Sequence, residues 1–143
     1  MNTEQLISQI HKAAQQLGAC DRFKGNETLE ELISLLYSPQ GREFCITHEF
    51  PTIDVLRKFK KYNIEQYGIY IDAGTIRVSE REHLFLIGNT TASVACHNTK
   101  RYQIYLMHGA FARIEAYDYA AVHYEHDKQS TVRVELFNNA REI

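Results

Sequence analysis

The chain has 143 residues, of which 44% are hydrophobic, 11% aromatic and 24% charged. This composition supports a hydrophobic core in one domain or two joined subdomains, and it excludes a disordered chain. The net charge is −2, and residues 1–66 and 67–143 each carry eight Lys and Arg against nine Asp and Glu. Neither part has the basic surface that binds nucleic acid or an anionic membrane, so we expect neither partner.

The three cysteines, Cys20, Cys45 and Cys96, lack the short CxxC spacing of metal and redox motifs. An odd number of cysteines, in a sequence without the charged and apolar regions of a signal peptide, predicts reduced thiols and a cytoplasmic location. No apolar run exceeds five residues, whereas a membrane-spanning helix needs about 20. We therefore expect no membrane span.

Residues 1–66 carry the apolar spacing of α-helices, and about four helices are predicted there. In the first, apolar residues between Leu6 and Leu17 share one face, Thr3 is placed to cap the start and Gly18 to end it. Three further starts follow: Thr28 and Glu31 with capping-box spacing, Ser38-Pro39 with proline at the first helical position, and Pro51-Thr52 ahead of Ile53, Leu56 and Phe59.

After about Tyr67 the apolar period changes to two, and eight strand-like runs follow one another. One set aligns without gaps at an offset of 20 residues and contains ASVACHN (92–98), ARIEAYD (112–118) and VRVELFN (132–138). TIRVSER joins this set at an offset near 18. A second set contains LFLI (84–87), IYLM (104–107) and roughly VHYE (122–125). Two strands in each repeat predict a β-solenoid, in which every turn is one coil.

The predicted fold is α+β, with a helical cap subdomain at 1–66 and a parallel β-solenoid, or β-helix, of about 20 residues per coil at 67–143. LFLI and IYLM are apolar on both faces, so we expect both faces to be covered, with the helices as the available cover. Helices over the first coil would also protect its edge from pairing. The alternative is an antiparallel β-sandwich or small barrel with helices, because short strands separated by frequent turns fit that architecture too.

The aligned set also predicts which side chains line the interior. Inward positions are small or medium apolar residues that would stack from coil to coil: Ala92, Val94 and Cys96, then Ala112, Ile114 and Ala116, then Val132, Val134 and Leu136. Outward positions are mixed: Ser93, Ala95 and His97, then Arg113, Glu115 and Tyr117, then Arg133, Glu135 and Phe137. Asn98, Asp118 and Asn138 recur at the next corner, where short polar side chains tolerate a left-handed backbone.

The segments FCITHEFPTIDVLRKFKKYN, GIYIDAG, VSEREHLFLIGNTTASVAC and LMHGAFARIEAYDYAAV resemble a group of uncharacterised proteins from Bacteroidetes and their phages or mobile elements. The resemblance spans roughly residues 40–140 and rests on the FP-helix, the GNT and HGA corners and the AYD repeat. It implies a helical N-terminal segment, AYD-type β-helical repeats and a phage or mobile-element setting. It assigns no activity and no functional residue.

The strongest candidate site is a ladder of outward residues. His97, Tyr117 and Phe137 should stack about 5 Å apart from coil to coil. Charged residues flank them: Arg113, Arg133, Glu115 and Glu135. Such a stripe could bind a protein partner or a sugar ring, because exposed apolar stripes mark interfaces. The alternative is a structural ladder that only stabilises the coils by stacking, or that lies under a flanking loop.

A metal site is a weaker candidate. AVHYEHDK places His123 and His126 on either side of Glu125, but positions i and i+3 of a strand face opposite ways, so the two rings should not converge. Cys96 should point inward and be unreactive. As strand neighbours, Cys96 and His97 point apart, which argues against Cys–His catalysis.

Two further features receive structural interpretations. Gly109 is expected to supply a permissive backbone at a corner, next to an exposed His108 that lacks a catalytic partner. The basic run RKFKKY (57–62) is expected to complement a helix C-terminus rather than to bind nucleic acid. The glycine-rich motifs that bind phosphate are missing.

The sequence therefore predicts a non-catalytic protein-interaction module that presents a rigid β-helical surface. The alternatives are a carbohydrate- or small-ligand-binding module and a metal-assisted enzyme built on His123, Glu125 and His126. No catalytic residue, metal or cofactor is predicted. The expected partner is another protein, and a homo-oligomer could form through the terminal coil, whose NNAREI segment offers no evident cap.

Overall fold

A computed structural model describes residues 1–143 of the chain. Four α-helices come first: α1 (Thr3–Gln16), α2 (Leu29–Tyr37), α3 (Pro39–His48) and α4 (Ile53–Arg57). Two short 3-10 turns follow, Lys60–Tyr62 and Ile64–Tyr67. Nine strands complete the chain: β1 (Ile69–Ile71), β2 (Gly74–Ser79), β3 (His83–Ile87), β4 (Thr90–Cys96), β5 (Arg101–Met107), β6 (Phe111–Ala116), β7 (Ala121–His126), β8 (Thr131–Leu136) and β9 (Arg141–Glu142).

The chain divides into two compact units, Met1–Phe59 and Lys60–Ile143. The change of apolar period places a boundary at 66/67, where the strands begin. In the structure the two 3-10 turns ahead of β1 belong to the second unit. Their short irregular backbone lacks the period of two that marks the strands, so the change of period assigns residues 60–66 to the helical half.

The first helix begins one residue earlier than predicted. The side chain of Asn2 accepts a hydrogen bond from the Gln5 N–H at 2.8 Å, and the Gln5 side chain accepts one from the Asn2 N–H at 3.0 Å. The expected cap at Thr3 is wrong because only a cap at Asn2 places a glutamine where it can complete this capping box. Gly18 follows the helix with a φ of 86°, as predicted, whereas Leu17 is exposed.

The other helix starts are where the sequence predicts them. Thr28 and Glu31 form the reciprocal capping box of α2, and Ser38 caps α3 with proline at its first position. The fourth helix is shorter than expected, because it ends at Arg57 and leaves Phe59 buried outside it. None of the four helices is both long enough and apolar enough to cross a membrane.

The second unit is a parallel β-solenoid of about four turns with about 20 residues per coil, as predicted. One sheet has the strand order β1-β3-β5-β7-β9 and the other has β2-β4-β6-β8. Every strand pair in both sheets is parallel. This pairing excludes the antiparallel sandwich and the antiparallel barrel.

The register is 20 residues except in the first coil. Ala112 lies beside Ala92 and Ile104 beside Leu84, but Ile76 lies beside Ala92, an offset of 92 − 76 = 16 rather than the predicted 18. In the other sheet, Tyr124 lies beside Ile104, so the partner of IYLM is 124–127 and not 122–125. Both errors amount to two residues. A shift by two leaves every side chain on its predicted face, so the alternation of apolar and polar residues does not reveal it.

The inward side chains form the core of the solenoid. Those of the β4 and β6 coils are at most 2% exposed: Ala92, Val94, Cys96, Ala112, Ile114 and Ala116. The apolar segments Leu84–Ile87 and Ile104–Met107 are buried along their whole length. These segments are apolar on both faces, and this pattern predicts that their outward and inward side chains are both buried.

Candidate functional site

The solvent-facing side of the β2-β4-β6-β8 sheet is here called the outer face. It carries all seven residues predicted for the binding surface: His97, Arg113, Glu115, Tyr117, Arg133, Glu135 and Phe137. Arg113 lies beside Arg133 in the register of β6 and β8. The odd-numbered side chains point outward because the even-numbered ones between them pack in the core, and strand side chains alternate.

Three rings form a continuous stack, here called the aromatic ladder: His97, Tyr117 and Phe137. The ring centroids of His97 and Tyr117 are 4.8 Å apart with an interplanar angle of 7°. Those of Tyr117 and Phe137 are 4.9 Å apart with an angle of 11°. This confirms the predicted spacing of about 5 Å. Since Tyr117 is covered on both faces, it offers its ring edge to solvent rather than an open ring face.

The hydroxyl group of Tyr117 is fixed by its neighbour on the same strand face. Tyr117 Oη donates a hydrogen bond to Glu115 Oε2 at 2.5 Å. This hydrogen bond raises the pKa of Tyr117, because ionisation of the phenol would break the bond and place a phenolate beside the Glu115 carboxylate. The ring is therefore neutral and held in one orientation.

Arg113 connects two neighbouring coils. Its Nε lies 3.4 Å from Glu115 Oε1, and its Nη2 donates to Glu135 Oε1 at 2.8 Å. Arg113 and Glu135 are about half exposed and Glu115 is 34% exposed, so the ion pairs orient the charged groups more than they stabilise the fold. Arg133 is exposed and has no ion-pair partner within the chain.

The predicted corner residues hold the backbone next to the aromatic ladder. Asn98, Asp118 and Asn138 have φ of 66°, 60° and 57°, the left-handed conformation that the sequence suggests for them. The Asn98 N–H donates to Asp118 Oδ2, and the Asp118 N–H donates to Asn138 Oδ1, both at 3.2 Å. Each corner is thus bonded to the corner of the next coil.

Two residues that support the ladder were not predicted. Glu80 has a φ of 58° and accepts from Asn98 Nδ2 at 3.4 Å, so it extends the column of corner residues by one coil. The buried Tyr102 donates from its hydroxyl group to the His97 carbonyl at 3.0 Å and accepts from the His97 N–H at 3.2 Å. Glu80 was missed because glutamate is not one of the short polar side chains that mark the other corners, and no sequence signal links Tyr102 to His97.

The histidines of β7 are not brought together. His123 Nε2 lies 3.1 Å from Glu125 Oε2, on the same strand face. The ring of His126 contacts the Asp127 carbonyl at 2.8 Å. No group of three or more His, Cys, Asp or Glu side chains in the chain is arranged to hold a metal ion.

The thiols differ in exposure. Burial raises the pKa of Cys45 and of Cys96 to about 12, so both thiols are protonated near neutral pH. Cys96 points inward as predicted, and its neighbour His97 points outward. Cys20 is exposed, and all three cysteines are free.

At the corner of His108 and Gly109, the backbone of Gly109 agrees with its prediction, whereas the side chain of His108 does not. Both residues have positive φ, 60° and 93°, and His108 is half-buried rather than exposed. The buried Asp127 accepts hydrogen bonds from the His108 N–H at 2.8 Å and from Ser130 Oγ at 2.7 Å. The carboxylate of Asp127 explains the left-handed histidine, because it fixes the peptide N–H there.

The basic run is tied to local groups. Arg57 pairs with Asp54 at 3.6 Å at the end of α4, Lys60 Nζ donates to the Asp72 carbonyl at 3.1 Å, and Lys61 lies over the ring of Tyr62.

No family model matches this sequence, and no curated protein or solved structure matches it either.

Proposed function

We propose that this protein is a non-catalytic protein-interaction module and that its binding surface is the outer face. The observation that carries the proposal is the aromatic ladder, a continuous stack of three rings flanked by oriented charges on a regular sheet. Aromatic and arginine side chains are the residues that contribute most to protein interfaces. Such repeat surfaces suit extended partners.

The stacking geometry favours a protein partner over a carbohydrate. A sugar ring binds an aromatic side chain by lying on its open face. Both faces of the Tyr117 ring are covered by His97 and Phe137 at 4.8 and 4.9 Å, which leaves only the edge of this central ring available. Ring edges, guanidinium groups and carboxylates instead complement the mixed polar and apolar surface of a protein.

Rigidity supports the same proposal. The ladder residues follow strands that are hydrogen-bonded from coil to coil, and the corner residues Asn98, Asp118 and Asn138 continue this bonding beyond the strands. Surface side chains that are already ordered lose less conformational entropy when a partner binds. Alternating arginine and glutamate columns point to a partner that carries both signs of charge.

The expected setting is part of the proposal. A reducing, cytoplasmic compartment fits three free cysteines, one of which, Cys20, is exposed. The phage or mobile-element setting has its support in the sequence resemblance over roughly residues 40–140.

The test compares the captured partners of two variants. The immobilised full chain is exposed to an extract of its source cells, and bound proteins are identified by mass spectrometry. Tyr117→Ala removes the middle ring, and we expect it to lower partner capture at least about tenfold. Tyr119→Ala is the matched control, because Tyr119 is an exposed tyrosine two residues away that lies outside the ladder. Circular dichroism verifies that both variants are folded.

Two results would contradict the proposal. If the same proteins bind with and without the Tyr117 ring, the ladder only stabilises the coils. If a glycan array gives a strong signal that Tyr117→Ala abolishes and Tyr119→Ala preserves, the carbohydrate-binding alternative is correct.

A further inference from the structure

The last strand of the β2-β4-β6-β8 sheet has one unpaired edge. β8 is hydrogen-bonded to β6 alone. The N–H groups of Thr131 and Phe137 donate to the β6 side, to the Ala110 and Ala116 carbonyls at 3.0 and 2.8 Å. Backbone groups alternate along a strand, so the N–H and C=O groups of Val132, Val134 and Leu136 face the free edge.

The side chains of this coil are also incompletely buried. Val132 and Val134 are only partly buried against the core, and Leu136 is 43% exposed. Two of the six exposed large apolar residues of the chain lie in this coil, Leu136 and Phe137, and a third, Ile143, follows β9. An unpaired strand with an apolar inner side is a template for pairing with another strand.

The sequence of β8 is complementary to itself when read in the opposite direction. We propose that two copies of this chain pair their β8 strands antiparallel, about a two-fold axis at Val134, and form a closed dimer. In this register Val134 lies opposite its own copy, and Val132 lies opposite Leu136 of the second copy. These are the residues whose N–H and C=O groups face the free edge, so the register satisfies the backbone hydrogen bonds.

The charges support the same register. It places Arg133 opposite Glu135 of the second copy, twice around the two-fold axis. These two residues form non-hydrogen-bonded pairs, in which side chains of an antiparallel ladder approach most closely. Arg133 has no ion-pair partner within its own chain, and opposite charges directly across a ladder stabilise the pairing.

A head-to-tail stack is the competing arrangement, because β2 is the other edge of this sheet. If β8 of one copy paired in parallel with β2 of the next, in the register that continues the coils, Arg133 would lie beside Arg77. Like charges directly opposite each other destabilise a ladder. The two-fold register therefore has the better charge complementarity, and it closes instead of forming a filament.

The experiment uses the full chain and charge reversal. Sedimentation equilibrium should give a dimer of the 16.6 kDa chain. Arg133→Glu and Glu135→Arg should each raise the dimer dissociation constant at least about tenfold, because each variant places like charges opposite each other at both pairs. When the two variants are mixed, every substituted side chain faces an opposite charge, and a mixed dimer should form that native mass spectrometry identifies by its mass.

The matched control is Arg77→Glu on the opposite edge strand. It should leave the dimer unchanged, whereas it would strengthen a head-to-tail stack by placing opposite charges together. Circular dichroism shows whether each variant retains the solenoid. The proposal is overturned by a wild-type chain that stays monomeric at about 100 µM, by variants that do not recover a dimer on mixing, or by assembly that responds to Arg77→Glu.

Discussion

The inner coils of the solenoid and its last coil carry the same apolar pattern but bury it to different depths. Val94 and Ile114 are at most 2% exposed, whereas Val134 in the same column is only partly buried. Cys96 is fully buried, and Leu136, two coils further along the same column, is 43% exposed.

This difference shows what sets burial in a repeat protein. The residues of β6 have a coil on each side, β4 and β8, whereas those of β8 have only β6. In a solenoid each repeat contacts only its neighbours, so an inward side chain loses half of its cover when one neighbouring coil is missing. The sequence pattern fixes the face of a side chain, and the neighbouring coils fix its depth.

The largest expected effect tests this difference in the core. Ile114→Ala removes most of a fully buried side chain between two coils, and we expect it to lower the free energy of unfolding by roughly 2–5 kcal/mol. Urea unfolding followed by circular dichroism measures the change, because the midpoint shifts when the slope stays constant.

Val134→Ala is the matched change in the last coil. In the dilute protein it should cost less than about 1 kcal/mol, because a half-buried side chain loses only part of its transfer free energy. At concentrations where two copies pair through β8, its cost should rise, since Val134 then lies at the centre of the interface. Equal costs for Ile114→Ala and Val134→Ala in the dilute protein would mean that the two coils do not differ in burial.

At the corners, an effect smaller than that of Ile114→Ala is expected. Asp127→Ala leaves the His108 N–H and the Ser130 hydroxyl without their buried acceptor, and it should destabilise the protein by about 1–3 kcal/mol. Asn138→Gly removes the acceptor of the Asp118 N–H at the exposed last corner, where water replaces it, and glycine keeps the left-handed backbone. Its cost should be below about 0.5 kcal/mol.

Thermal unfolding of both variants provides the comparison. A loss for Asn138→Gly as large as that for Asp127→Ala would show that the last corner is held as firmly as the inner ones. The stack of corners would then be uniform, and the weakness of the last coil would be confined to its apolar side chains.

Much of the fold could be predicted from the sequence, for a physical reason. Repetition at an offset of 20 specifies coils, and a period of two specifies faces, so the interior from Ala92 to Ala116 was predicted residue by residue. The register of the first coil and of Tyr124 was wrong by two residues, because alternation does not distinguish such shifts. The start of α1 was wrong because Asn2 and Thr3 are both good caps.

The candidate site was predictable only in its outline. The offset alone places His97, Tyr117 and Phe137 in one stack. The contacts that fix them depend on side-chain geometry: Tyr117 donates to Glu115, and Tyr102 bonds to the backbone of His97. The exposure of Leu136 depends on which coil lies beside it, and no local pattern encodes that.

The mildest perturbation compares the inner and last coils at one column of the core. Leu136→Cys and Ala116→Cys introduce a thiol at the two positions that continue the column of Cys96. Both are made with Cys20→Ser, because Cys20 is the exposed thiol, while burial keeps the pKa of Cys45 and Cys96 at about 12. At about pH 8 an exposed thiol forms enough thiolate to react with a maleimide, and a buried one does not.

Mass spectrometry should therefore find one label on the Leu136→Cys chain within minutes and none on the Ala116→Cys chain until it is unfolded. Raising the protein concentration should slow the labelling at position 136, because pairing of two β8 strands covers that side chain. Equal rates at 116 and 136 would mean that the inner coils open as readily as the last one, and burial in this solenoid would then not depend on having a neighbour on each side.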